Sequence, residues 1–290
     1  MTKLTFRDLT PAYGSEVIGL DPSSELDDDD VMALRTAFDD RSLLLFRGLH
    51  IEDTYQQYLA KLVIGHDGPT GDGQDVDAAD AFMVSNREND GGAPFGRLLF
   101  HADMMWHENP VHVLTLYGLD VEPPVVPTVF TSSAYAWDTL PDDLRTRVDD
   151  KHAIHMTGQR DRGKEPGGEL LQPKRANQQS TTQPIGRPHP RTGRTLLYVC
   201  QMMTDRVVEL PSDESEALLE ELFSHLYSDE LVWKHDWQPG DLVLWDNLAM
   251  QHARPDVDKD GPVRTLRKVI APKPQIAIEK PTFDNVSKTN

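Results

Sequence analysis

The sequence predicts a mainly β protein with flanking helices, folded as a barrel or a double-sheet jelly roll. Three observations support this prediction. Short segments rich in β-branched, aromatic and leucine residues recur after residue 98, bounded by Pro, Gly or Asp. Helical patterns interrupt these strands but do not alternate with them, which is typical of such folds. No repeat or low-complexity linker divides the 290 residues, so 1–290 is predicted to be one domain.

Composition and charge exclude several classes of protein. The chain has 29 Lys and Arg residues against 48 Asp and Glu residues, a formal net charge of −19. Phosphate groups attract basic surfaces, so neither nucleic acid nor an anionic membrane is an expected partner. No apolar run approaches the roughly 20 residues of a membrane span, and the start lacks a secretory signal, so we expect a cytoplasmic protein. The single cysteine, Cys200, excludes an intramolecular disulfide and a cysteine zinc site.

The elements are predicted in chain order from the periodicity of apolar residues. Helices are predicted at 30–40, 52–63, 134–148 and 213–227, and strands at 42–47, 81–85, 98–105, 111–119, 128–131, 195–199, 241–245 and 263–270. Two variable loops, 65–96 and 158–188, are dense in Gly, Asp and other polar residues. Long loops in compact domains are often binding loops, so we expect both over the active site. A polar tail is predicted at 273–290.

The segment FHADMMW at 100–106 suggests a metal site. In a strand, side chains two residues apart share a face, so His101 and Asp103 are predicted to project together. A third ligand, His252, follows the turn and buried strand at 238–245. Two histidines and a carboxylate form the facial triad of non-haem Fe(II) oxygenases, whose open positions suit a bidentate 2-oxo acid and O₂. The histidines interpreted as ordinary surface or core residues are His107, His112, His152, His155, His189 and His225.

The strand at 263–270 offers a cation for the far carboxylate of such a co-substrate. Its period of two places Arg264 and Lys268 on one face and Arg267 on the other. A planar guanidinium can clamp a carboxylate in a bidentate pair, which a lysine does less well. We therefore favour Arg264 over Arg267 for this role.

Taken together, these segments resemble the Fe(II)/2-oxoglutarate-dependent dioxygenases of the taurine dioxygenase and 2,4-dichlorophenoxyacetate dioxygenase (TauD/TfdA) family. The resemblance covers almost the whole chain. It is carried by an opening segment that ends in FRG, by FHADMMW, by HPRTGRTLLYV, by WQPGDLVLWDNLAMQHAR and by RTLRKVIAPKP. It implies a double-stranded β-helix, a distorted jelly roll of the cupin type, with helices packed outside.

The resemblance also implies roles for individual residues. His101, Asp103 and His252 would bind Fe(II), while Arg264 and Thr128 would hold the distal carboxylate of 2-oxoglutarate. The implied reaction uses O₂ to decarboxylate 2-oxoglutarate to succinate and CO₂ and to hydroxylate a C–H bond of a small organic substrate. Desaturation or cyclisation by the same radical chemistry is the alternative outcome.

Three further residues bear on the substrate. Where taurine dioxygenase has a second arginine, this chain has Lys268, a point charge that together with Arg97 suggests an anionic substrate. Trp106 occupies the position of a phenylalanine that lines the substrate pocket in that family, and it is interpreted either as a pocket wall or as core. Members of the resembled family are often dimers or tetramers, so the resemblance is compatible with a homo-oligomer. Neither the primary substrate nor the oligomeric state follows from the sequence.

Two other functions are compatible with the same residues. A hydrolase could bind Zn²⁺ through the two histidines and Asp103 and activate water, but Arg264 and Thr128 would then have no evident purpose. A catalytically inactive binding protein of the same fold would need no metal ligands, and the intact triad argues against it.

Overall fold

The computed structural model describes residues 3–65, 77–87, 92–158, 173–174, 178–274 and 282–283. Much of the two predicted variable loops and of the polar tail lies outside the described residues. Their expected position over the active site stays a prediction, as does the single domain at 1–290. Within the described ranges, no helix has the length and apolar character of a membrane span.

Five helices lie in the described part of the chain. They are α1 (Asp28–Arg41), α2 (Asp53–Leu62), α3 (Ser133–Asp138), α4 (Asp142–Val148) and α5 (Ser212–Leu226). Asp27 caps α1, because its side chain accepts a hydrogen bond from Asp30 N at 2.9 Å. The prediction of one helix at 134–148 is wrong. Pro141 separates α3 from α4, since proline has no N–H and disfavours a helical conformation in the residue before it.

The same residues form eighteen strands. They are β1 (Thr5–Asp8), β2 (Ser15–Ile18), β3 (Leu43–Phe46), β4 (Phe82–Ser85), β5 (Gly96–His101), β6 (Val113–Val121), β7 (Thr128–Ser132), β8 (His152–Met156), β9 (Pro173–Lys174), β10 (Ser180–Pro184), β11 (Gly186–Pro188), β12 (Thr195–Leu197), β13 (Thr204–Val207), β14 (Val232–His235), β15 (Leu242–Asp246), β16 (Met250–Val257), β17 (Arg264–Ala271) and β18 (Thr282–Phe283). The prediction of loop throughout 158–188 is wrong for β10 and β11, which pair with β8 and β12. Their sequences, STTQP and GRP, are too polar to show the alternation of a half-buried strand.

Two sheets make up the centre of the fold. The larger sheet has the strand order β1-β2-β3-β15-β6-β17-β4, and the smaller sheet has the order β14-β7-β16-β5. Among the described strands, β2 and β3 are the parallel pair, and the other pairs are antiparallel. Short sheets of β10-β8-β13, β11-β12 and β18-β9 accompany them.

The inner faces of the two sheets pack against each other. Leu45 and Trp245 of the larger sheet share a buried cluster with Phe130 of the smaller sheet. The rings of Trp245 and Phe130 meet edge to face with their centroids 5.2 Å apart. On the outer face of the larger sheet, Leu44 belongs to a second cluster with Phe38 of α1. This alternation gives the double-sheet jelly roll that the sequence predicts.

A tight turn before β15 connects the segment after β3 with β6 in the middle of the larger sheet. Gly240 has a φ of +81°, and its backbone accepts from Leu49 N and donates to Gly118 O, both at 2.8 Å. A Cβ atom at this position would lie 2.7 Å from Leu49 O. The turn therefore requires glycine both for its left-handed backbone and for the close approach.

We expect Gly240→Ala to lower the free energy of unfolding by about 3 kcal/mol, because the left-handed backbone and the steric clash both cost energy. Gly193→Ala is the matched control, since Gly193 has a φ of +71° and a Cβ atom there would have nothing within 4 Å. That control should lose only about 1 kcal/mol. Urea denaturation measures both values, and equal losses would show that the clash at Gly240 is relieved.

Candidate active site

Neighbouring strands bring the two predicted histidine ligands together. In the antiparallel pairing of β16 with β5, His252 lies directly opposite His101. The two imidazole rings have their centroids 4.1 Å apart. Both side chains are largely buried between the sheets. The pairing register of β16 with β5 thus brings together two histidines that are 151 positions apart in the sequence.

The prediction that Asp103 shares a strand with His101 is wrong, although Asp103 does join the site. β5 ends at His101, and the chain then enters a turn in which Met104 has a φ of +59°. From this turn, Asp103 Oδ1 lies 3.3 Å from His101 Nε2 and 3.8 Å from His252 Nε2. The period-two rule found the right pair of residues, but the turn brings the carboxylate to the histidines.

The chemistry of these donors fits a divalent transition metal ion. His101, Asp103 and His252 each offer one ligand atom, and the three atoms lie within 4.8 Å of one another. His101 Nδ1 lies 2.8 Å from the carbonyl oxygen of Leu99, which favours a proton on Nδ1 and leaves the Nε2 lone pair facing Asp103. Two imidazoles and one carboxylate suit Fe²⁺ and also Zn²⁺.

The charge states of the trio also suit metal binding. Burial opposes ionisation of Asp103, but the positive charge of Lys268 holds its pKa well below its usual range. Burial, followed by the proximity of His101, lowers the pKa of His252 well below its usual value. The site therefore presents an ionised carboxylate and a neutral imidazole, which are the forms that bind metals.

Arg264 forms a second polar centre between the sheets. Its Nε donates to Val126 O at 2.9 Å and its NH2 group donates to Thr128 Oγ1 at 3.0 Å. Burial, and then the nearby charge of Arg254, lower the pKa of Arg264 well below its usual value. Within the described residues, its side-chain hydrogen bonds go to neutral oxygens, so a buried cation has remaining donors for an anion.

Thr128 is oriented by two donors. Its Oγ1 accepts from Arg264 and also from Trp237 Nε1, each at 3.0 Å. Because both acceptor positions of the hydroxyl oxygen are used, its own proton is available to a ligand. Trp237 is buried, and it also orients Thr128. A Trp in a segment without periodicity gives no sign of that contact in the sequence.

Arg267 lies on the opposite face of β17, as the period of two predicts. Its Nε donates to Gln56 Oε1 and its NH2 group donates to Ile51 O, both at 2.8 Å. Its guanidinium also stacks on Tyr117. These contacts link β17 to α2 and to the segment before it, away from Thr128.

The three residues predicted to contact the substrate have different environments. The Nζ of Lys268 contacts Asp103 Oδ2, so its charge is paired with the carboxylate of the candidate metal site. Trp106 is 2% exposed within an apolar cluster that includes Met105, which favours its interpretation as core. Arg97 is partly buried on β5 and lines a cleft with Arg254 on the smaller sheet.

Two functional candidates were not found by sequence reasoning. Asn247 hydrogen-bonds the backbone of Asp103, and Asn86 hydrogen-bonds the backbone of Arg264. Each asparagine lies at the end of a strand, where asparagine is also common in simple turns. The partners are more than 140 positions away, and no pattern in one sequence indicates them.

The histidines interpreted as ordinary residues lie outside the trio. His155 is the most buried of them, with 0% of its surface exposed. Its Nδ1 lies 3.1 Å from Thr204 Oγ1, and its ring meets Tyr198 edge to face. Burial, and then the charge of Arg187, lower the pKa of His155 to about 3. This imidazole is therefore neutral at physiological pH.

Comparisons with known proteins show which sequences and structures this chain is similar to. The family model described as taurine catabolism dioxygenase TauD, TfdA family matches residues 5–270. The chain is 30% identical over 279 residues to pentalenolactone F synthase of Streptomyces avermitilis. This alignment covers 89% of this chain and 90% of that protein. It is 26% identical over 269 residues to the alpha-ketoglutarate-dependent 2,4-dichlorophenoxyacetate dioxygenase of Cupriavidus pinatubonensis, with coverages of 84% and 89%.

Solved structures share the fold. A taurine dioxygenase from Burkholderia xenovorans superposes with a TM-score of 0.73 at 22% identity, covering 94% of this chain and 92% of that chain. AAD-2 in complex with Mn(II) and N-oxalylglycine gives a TM-score of 0.71 at 23% identity, with coverages of 94% and 99%. These similarities confirm the predicted jelly-roll fold.

The pKa of His155 predicts a pH dependence of stability. The unfolded chain binds a proton at this histidine near pH 6.5, whereas the folded chain resists protonation until about pH 3. The unfolded state therefore binds more protons in this window, and the free energy of unfolding falls as pH decreases, by at most about 1.4 kcal/mol per pH unit. Urea denaturation of wild type and His155→Gln between about pH 7 and about pH 5 should show a shallower loss in the variant. Parallel losses would contradict the assignment.

Proposed function

The chain belongs to the taurine catabolism dioxygenase TauD, TfdA family, and from that premise we propose that it oxidises a small organic substrate at a ferrous ion held by His101, Asp103 and His252. It is a 2-oxoglutarate-dependent dioxygenase. The observation that carries the site assignment is the convergence of the two imidazoles and the carboxylate within 4.8 Å. Two histidines and one carboxylate make the ligand set of non-haem Fe(II) oxygenases.

Arg264 and Thr128 are the proposed partners of the distal carboxylate of 2-oxoglutarate. The guanidinium supplies charge and paired N–H donors, and the hydroxyl supplies the proton that its two accepted hydrogen bonds leave available. The same guanidinium is buried among neutral acceptors, so an incoming carboxylate compensates a cation that the fold has already desolvated.

A ferrous ion, when bound, supplies the activation of O₂ that couples decarboxylation of 2-oxoglutarate, to succinate and CO₂, with hydroxylation of a substrate C–H bond. The surrounding side chains keep this chemistry away from water. Trp245 and Phe130 flank His252, with ring centroids 5.0 and 6.4 Å from its own. Both are fully buried, so the inner face of the site is apolar and excludes water around the reacting groups.

The contact between Lys268 and Asp103 bears on the charge of the proposed substrate. The expectation of an anionic substrate rests partly on the charge of this lysine, but its ammonium contacts Asp103 Oδ2. An anion that bound Lys268 would have to compete with that carboxylate. We therefore propose a small organic substrate whose binding does not depend on pairing with Lys268, and hydroxylation as the outcome. Desaturation or cyclisation is the alternative that product analysis distinguishes.

The zinc hydrolase and the inactive binding protein are less well supported. A zinc hydrolase has no evident use for the buried Arg264–Thr128 pair, and an inactive binding protein has no need of the intact set of two histidines and a carboxylate. The named relatives include an alpha-ketoglutarate-dependent dioxygenase. The cytoplasmic location, the homo-oligomer and the absence of a nucleic-acid or membrane partner stay predictions from the sequence.

Turnover should require Fe(II), O₂ and 2-oxoglutarate together. With a panel of small organic substrates, we expect succinate to accumulate only when all three are present, because each fills part of the same site. His252→Ala should abolish succinate formation, whereas His107→Ala should not, since His107 lies outside the trio. Succinate and product are quantified by mass spectrometry. Product formation with Zn²⁺ and no 2-oxoglutarate would favour the hydrolase instead.

Replacement of the proposed co-substrate arginine should act on one kinetic parameter. We expect Arg264→Gln to raise the KM for 2-oxoglutarate by roughly 30-fold or more, because loss of a buried charged pairing costs about 2–5 kcal/mol. Arg267→Gln is the matched control. It removes an equally buried arginine from the other face of β17, so it should lower thermal stability and leave this KM unchanged. The reverse pattern would assign the co-substrate to Arg267.

A further inference from the structure

Asn247 lies at the corner between β15 and β16 and is completely buried. Its Oδ1 accepts a hydrogen bond from Asp103 N at 2.8 Å. Its Nδ2 donates to Asp103 O and to Val111 O, each at 2.9 Å. One amide side chain thus bonds both backbone polar groups of a single residue and also the segment that follows it in the chain.

Asp103 depends on this contact for its backbone position. It lies beyond the end of β5, and it is followed by a left-handed residue, Met104. Within the described residues, the backbone hydrogen bonds of Asp103 are the two to Asn247. Its carboxylate is oriented by the contacts of Oδ1 with the histidines and of Oδ2 with Lys268.

The corner that carries Asn247 is itself fixed. Asp246 Oδ1 accepts from Leu248 N at 2.9 Å and from Ala249 N at 3.2 Å, while its Oδ2 lies 3.0 Å from His189 Nε2. The backbone N–H of Asn247 donates to His112 O at 2.8 Å. β16 begins three residues later and carries His252, so Asn247 is rigidly connected to the second histidine of the site.

We infer that Asn247 is a positioning residue that holds the Asp103 carboxylate at the distance from His252 that a metal ion requires. The inference rests on the proposed metal site. Asn247 does not touch the ion. Its hydrogen bonds fix the backbone of Asp103 relative to the β15–β16 corner, and without them only neighbouring residues would hold the turn that contains Asp103. Groups that orient metal ligands typically change metal affinity by roughly 10–100-fold when they are removed.

Asn86 provides a matched control. It is also buried, its Oδ1 accepts from Arg264 N at 2.9 Å, and its Nδ2 donates to Pro262 O at 2.9 Å and Asp258 O at 3.2 Å. It therefore makes the same pattern of bonds, one accepted and two donated, to the strand that carries Arg264 and the turn before it. It has no hydrogen bond to the three metal ligands among the described residues.

The test is Mn(II) affinity without turnover, measured by the electron paramagnetic resonance signal of the free ion. Asn247→Ala should weaken Mn(II) binding by roughly 10–100-fold, because Asp103 loses both backbone bonds. Asn86→Ala should leave Mn(II) affinity unchanged and weaken 2-oxoglutarate binding to the Mn(II)-loaded protein. Both variants should lower the melting temperature of the metal-free protein, so melting alone does not separate the two roles.

A second variant, Asn247→Ser, serves if Asn247→Ala does not fold. Serine keeps a polar group in the corner but cannot reach both backbone atoms of Asp103, so it should show the same loss of Mn(II) affinity.

Three results would be decisive against one proposal or the other. Wild-type Mn(II) affinity in a folded Asn247 variant would overturn the positioning role. Equal weakening by Asn86→Ala would also overturn it, since the effect would then be general to the fold. If wild type and His252→Ala bind Mn(II) equally, the proposed metal site itself is wrong, and that outcome does not depend on Asn247.

Discussion

The pairing of β16 with β5 is the interaction on which the site depends. This antiparallel register sets His252 opposite His101, and the paired strands bury both rings beneath the larger sheet. A shift of one residue would turn His252 to the opposite face of the smaller sheet, because side chains alternate along a strand. Asp103 reaches the pair only because the same corner that begins β16 also holds its backbone. The register of β16 therefore determines both the pairing of the strands and the arrangement of the three candidate ligands.

The fold buries charge at both Asp103 and Arg264 and compensates it differently at each. At Asp103 the compensation is internal, since Lys268 contacts one carboxylate oxygen while the other faces the histidines. At Arg264 the described partners are neutral, and the buried guanidinium is left with donors for an external anion. A buried charge without a counter-charge is costly unless a ligand supplies one. This asymmetry distinguishes the proposed metal site, whose charge is balanced within the protein, from the proposed co-substrate site, whose charge an anion would balance.

The sequence predicted the fold class and singled out the three residues that converge at the candidate metal site, because apolar alternation and residue spacing are local signals. The helices α1, α2 and α5 and the strands β3, β6, β7, β15 and β17 lie where periodicity places them, whereas β16, which carries His252, was not predicted as a strand. The errors have physical causes: Pro141 divides a helix, polar β10 is held by its neighbour rather than by burial, and the turn after His101 replaces a strand. Asn247 and Trp237 act through partners distant in the chain, which a single sequence does not indicate. Period two did separate Arg264 from Arg267, because alternation survives along β17.

The strand order of the larger sheet interleaves early and late parts of the chain. β15 inserts between β3 and β6, and β17 lies between β6 and β4, so strands made first have open edges until the last quarter of the chain arrives. Such non-local pairing closes long loops and is intrinsically slow. During synthesis, β3 and β6 must wait with exposed hydrogen-bonding groups that invite association with other chains. Nascent molecules of this protein consequently pass through an interval in which chaperone protection matters more than it does for the finished fold.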